Sequence, residues 1–114
     1  MRKMVPSEQK GLRVEVRDVD FAASTFAQNH FDGYYQTEID TSNIPQDAVV
    51  ICKHEIEFTS LGITDLDNAF LNRIYIDDTR KDNPNAVVIY ALGNEPIPDI
   101  FLTFRLFIFN PSTL

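Results

Sequence analysis

The chain has 114 residues, a length that bounds it to one domain, and its 44% hydrophobic and 11% aromatic content is globular rather than disordered. Its net charge of −7 divides into +3 over residues 1–17 and −10 over residues 18–114. An acidic body argues against nucleic acid as the main partner, because that role needs phosphate neutralisation.

Met1-Arg2-Lys3-Met4 is followed by Pro6-Ser7-Glu8-Gln9 with no apolar segment, so no secretory signal is read there. Residues 1–11 read instead as a basic arm, suited to docking on an acidic surface. Leu12, Val14 and Val16 then alternate with Arg13, Glu15 and Arg17, the pattern of a half-exposed first strand. Residues 22–27 fit a strand edge or a helical turn equally well. Asp32-Gly33 marks a turn, and the strand from Tyr34 to Asp40 sets Tyr35, Thr37 and Ile39 against Tyr34, Gln36 and Glu38. A loop from Thr41 to Asp47 precedes a short buried strand, Ala48 to Lys53.

Thr64 followed by Asp67 resembles a weak capping box and predicts a short helix over 65–72, with Leu66, Ala69 and Phe70 on one face. A strand from Arg73 to Asp77, a polar hairpin tip from Asp78 to Asn85 and a returning strand from Ala86 to Leu92 come next. A turn at Gly93–Asp99 leads into the closing strand, Ile100 to Phe109. Six or seven strands, antiparallel hairpins and one small helix predict an all-β fold, an antiparallel β-sandwich of jelly-roll or immunoglobulin-like type over residues 12–114.

Enzyme motifs are absent, and neither a glycine-rich phosphate loop nor a nucleophile elbow is present. The single Cys52 excludes an internal disulfide. Cys52, His54 and Glu57 are too few soft ligands for zinc. The Asp77-Asp78 and Asp82-Asn83 run lacks calcium-loop spacing and contains Arg80 and Lys81, so a solvated loop is expected. No cofactor, metal or catalytic residue is assigned. Tyr34, Tyr35 and Tyr90 fit half-buried strand positions, with sugar stacking as the other role open to them.

The strongest signal is the closing strand. Its even face is Ile100, Leu102, Phe104, Leu106 and Ile108, wholly apolar; its odd face carries Phe101, Phe107 and Phe109 around Thr103 and Arg105. A sandwich strand usually wets one face, so Phe101, Arg105, Phe107 and Phe109 are expected to line a contact between subunits, the other reading being a central strand covered on both faces within one subunit by the helix or the N-terminal arm.

Three segments carry a family resemblance: Gly33-Tyr34-Tyr35-Gln36-Thr37-Glu38-Ile39, then Ile44-Pro45-Gln46-Asp47-Ala48-Val49-Val50-Ile51, and Pro96-Ile97-Pro98-Asp99-Ile100-Phe101-Leu102-Thr103-Phe104. Their order over residues 32–109 resembles small β-sandwich domains of fibre, head-fibre and decoration proteins of tailed bacteriophages and prophages. The resemblance implies a non-enzymatic virion subunit, made in the host cytoplasm, that forms homo-oligomers, with a trimer favoured, and attaches to other virion proteins. Arg2, Lys3, Met4 and Val5 would then belong to an arm anchoring the subunit to the particle. The alternative is a carbohydrate-binding or adhesin domain recognising host-surface glycans. Neither nucleic acid binding nor membrane insertion is expected.

Overall fold

The computed structural model describes residues 12–55 and 69–111. The arm with Arg2, Lys3, Met4 and Val5 lies outside these residues, as does most of the helix expected over 65–72, of which 69–71 are helical. Among the described residues seven strands are formed: β1 (Leu12–Ala22), β2 (His30–Phe31), β3 (Tyr34–Asp40), β4 (Val49–His54), β5 (Ile74–Asp77), β6 (Ala86–Leu92) and β7 (Phe101–Pro111). They make two antiparallel sheets, one of three strands in the order β1-β7-β4 and one of four in the order β2-β3-β6-β5. The chain is therefore all-β and sandwich-like, with both sheets sharing one core.

That core follows from period-two patterning. Leu102, Phe104, Leu106 and Ile108 of β7 are sealed from solvent, as are Val87, Ile89 and Ala91 of β6. Tyr35, Thr37 and Ile39 of β3 are buried on the same inner side. Full burial of each large apolar side chain stabilises the fold by roughly 1.5–3 kcal/mol.

The segment left open between strand and turn is a 3-10 helix, Ala23–Asn29, whose Phe26 closes one end of the core. Phe26 meets Phe70 edge-on at 5.8 Å, and Phe21 stacks on Phe104 at 5.3 Å. Gly33 takes φ of 98°, a left-handed value open to glycine, which lets β2 turn into β3.

One loop departs from expectation. The hairpin tip between β5 and β6 is not uniformly solvated, because Arg80 is buried and left-handed with φ of 55°. Its Nε donates to Pro84 O at 2.8 Å, and its two terminal nitrogens donate to the carbonyls of Ile44, Pro45 and Ala48 at 3.2–3.4 Å. One side chain thereby ties the tip to the loop before β4. That loop is held further by Thr41, whose N–H donates to Asn85 O at 2.8 Å. β4 itself is buried on one face only: Val50 and Cys52 face the core, while Val49 and Ile51 face outward.

Candidate interaction surface

β7 is the central strand of its sheet, and its register fixes what lies beside each outward residue. Val14 and Val49 flank Phe109, while Val16 and Ile51 flank Phe107. Partners in register point to the same face of a sheet. These two rows place six apolar side chains together on the solvent side. Val14, Val16, Val49 and Ile51 are 58%, 54%, 59% and 49% exposed; Phe107 and Phe109, between them, are half-buried.

Below the apolar rows the face becomes charged. Asp18 and Lys53 flank Arg105 in register. Arg105 binds Asp18 through two hydrogen bonds, which hold the Asp18 carboxyl below its usual range. One row further, Thr103 Oγ1 donates to Asp20 Oδ1 at 2.7 Å. Phe101, 66% exposed, closes this end. The four residues expected on the outward side of the closing strand therefore share one face. Phe107 and Phe109 belong to its apolar half, Arg105 to its polar half, and Phe101 stands apart at the far end.

Val14, Val16, Val49 and Ile51 extend this surface beyond the closing strand. The signal for them was that strand itself: a central strand apolar on both sides needs apolar neighbours on its outer side. Such a face can bury greasy area against a partner, while the mixed charges set orientation more than affinity.

The other sequence candidates are placed elsewhere in the fold. Cys52 lies on the inner face, and burial, then the nearby Asp78 charge, push its thiol up to about 12. That is the reverse of the shift that activates a nucleophile. Asp78 Oδ2 accepts the backbone N–H of Cys52 at 2.8 Å, which caps the free edge of β4 at that point. His54 stacks on Phe104 at 4.8 Å, and burial lowers its pKa. Glu57 lies outside the described residues. Asp77 is occupied by Thr79, whose N–H and hydroxyl both donate to it. Among the described residues no group of three or more His, Cys, Asp or Glu is placed to hold a metal ion. Also among them, no helix is long and apolar enough to cross a membrane. Tyr35 is buried and donates its hydroxyl to Glu95 O at 2.9 Å, whereas Tyr34 and Tyr90 sit on the outer face of the four-stranded sheet.

Comparison with known proteins returns no matching family model, no matching curated protein and no matching solved structure.

Proposed function

We propose that this protein is a non-enzymatic structural subunit of a phage-type virion, with a jelly-roll or immunoglobulin-like sandwich, that self-associates through the outer face of its three-stranded sheet. The observation that carries the reading is the apolar block of Val14, Val16, Val49, Ile51, Phe107 and Phe109. Contiguous apolar surface of this kind on a soluble protein marks an interaction site. A second copy is the favoured occupant because the charged row below the block carries both signs, Asp18 beside Arg105 and Lys53. Copies can therefore meet with opposite charges opposed, despite a net charge of −7. The resemblance of residues 32–109 to virion domains supplies the virion part of the reading, and the basic segment before β1 supplies the anchor.

Native mass of the purified full chain tests it. An oligomer, with a trimer favoured, is expected for the wild type and a monomer for Phe107→Asp. A wild type that stays monomeric at high concentration overturns self-association.

A further inference from the structure

The outer face of the four-stranded sheet carries a surface of a different kind. Phe31, Tyr34, Tyr90 and Tyr75 follow one another across β2, β3, β6 and β5. Ring centroids step 5.3 Å from Phe31 to Tyr34, 5.6 Å on to Tyr90 and 5.9 Å on to Tyr75. The end rings are the most open, Phe31 at 49% and Tyr75 at 58% exposed. Cross-strand ring pairs stabilise a sheet, yet this row adds nothing to the core, which the opposite face of the same strands already fills.

A notch of about 70 Å³ opens beside Tyr90, with Asp77, Lys81, Asp82 and Asn83 in its lining. Arg80 also borders it, but its guanidinium is engaged by the carbonyls of Ile44, Pro45, Ala48 and Pro84. The strip is thus a stepped aromatic track, its ring planes turned by 23° from Phe31 to Tyr34, 69° on to Tyr90 and 33° on to Tyr75, with polar groups at one side. Tyrosine suits such a surface, having an apolar ring and a hydrogen-bonding tip.

We propose that this track and notch bind a neutral oligosaccharide, with the C–H faces of the sugars on the rings and their hydroxyls on Asp82 and Asn83. Electrostatics select that ligand class. Single-stranded nucleic acid also stacks on aromatic rings, but it needs a basic groove, and here carboxylates border the rings. A second copy docked on this face would set Asp77 and Glu38 against acidic images of themselves. A neutral polyol meets neither penalty. The track lies on the opposite side of the sandwich from the apolar block, so one subunit can engage both partners at once.

The chain offers its own reporter. It has no Trp, and of its four tyrosines Tyr34, Tyr75 and Tyr90 lie on the track while Tyr35 is buried. The full chain is titrated with cellohexaose, maltohexaose and chitohexaose at low and high salt, followed by tyrosine emission and by calorimetry. At least one sugar is expected to give a saturable response that salt leaves unchanged. Tyr75→Ala, an exposed site whose loss spares the fold, should weaken it about two- to tenfold. Asp47→Ala, at an exposed loop position outside both faces, should leave it as it was. Silence with all three sugars overturns the proposal, as does wild-type affinity in Tyr75→Ala. A response confined to an oligolysine peptide and abolished by salt overturns it in favour of a basic partner. None of these readouts depends on oligomer mass, so glycan binding and self-association can fail separately.

Discussion

Arg105 and Asp18 form a two-point ion pair between the last strand and the first, with Arg105 Nε donating to Asp18 Oδ1 at 2.7 Å and Nη2 to Oδ2 at 3.1 Å. The pair marks the border between the apolar and charged halves of the outer face. The hydrogen bonds from Arg105 are the main reason the Asp18 carboxyl lies below its ordinary value. A depressed carboxyl contributes stability above its unfolded pKa, and that stability is lost as pH falls through the folded value. Arg105→Leu should therefore return the Asp18 titration upward to the ordinary carboxylate range, read by NMR. An unchanged Asp18 titration would show that the pair is not formed in solution.

Ile51→Glu separates folding from association. Ile51 is 49% exposed and lies beside Phe107, so its side chain adds little to the core of one subunit. The thermal midpoint of the dilute monomer should stay nearly unchanged, within about 0.5 kcal/mol of the wild type. Sedimentation equilibrium should show association lost, because a carboxylate in the apolar block must be desolvated against a partner. A variant that melts early would mean instead that Ile51 belongs to the core.

What the residues disclosed, and what they concealed, follows from the range of the interactions involved. β3 and β6 run over Tyr34–Asp40 and Ala86–Leu92, the spans expected from sequence, because local turn chemistry at Asp32-Gly33 and Gly93 delimits them. β1 is harder. Its alternation reveals two faces but not which one meets the core. Here Val14 and Val16 turn outward while Val19 packs against the core, and Arg17 donates to Asn43 Oδ1 at 3.1 Å. That choice is made by pairing Val16 with Phe107 at the other end of the chain. The short apolar run of β4 likewise conceals that Val49 and Ile51 are open to solvent. Arg80 is the clearest case: its neighbours in sequence are polar, and only the distant carbonyls of Ile44, Pro45 and Ala48 draw it inward.

Arg80 is consequently expected to matter for stability more than its loop position implies. Arg80→Met removes the donors from several part-buried carbonyls at once, and buried acceptors left without partners are costly. A loss of roughly 2–4 kcal/mol is expected in urea unfolding, at the high end for single substitutions. Arg80→Lys should recover little of it, since an ammonium cannot reproduce the fork that reaches Pro84 on one side and Ile44 and Ala48 on the other. Full rescue by lysine would mean that charge, not fork geometry, holds the two loops.

Cys52 gives a prediction at the alkaline end. Its folded thiol is raised from the ordinary 9.0 to about 12, first by burial and then by the Asp78 charge. In the folded protein the thiolate is disfavoured, while the unfolded chain ionises normally. The native state therefore binds the proton more tightly, and stability falls wherever the unfolded chain has already released it. The contribution from Cys52 is intact below pH 9.0 and should decline as pH rises toward about 12. Other groups also titrate there, so the informative quantity is the difference between the wild type and Cys52→Ala. The wild type should lose stability more steeply across that window, and the gap in slope should vanish below it. Thiol reagents at about pH 8 should label Cys52 only as fast as the chain opens, because a buried neutral thiol does not react. Rapid labelling of the native protein, or parallel stability curves for the two chains, would place Cys52 in contact with solvent instead.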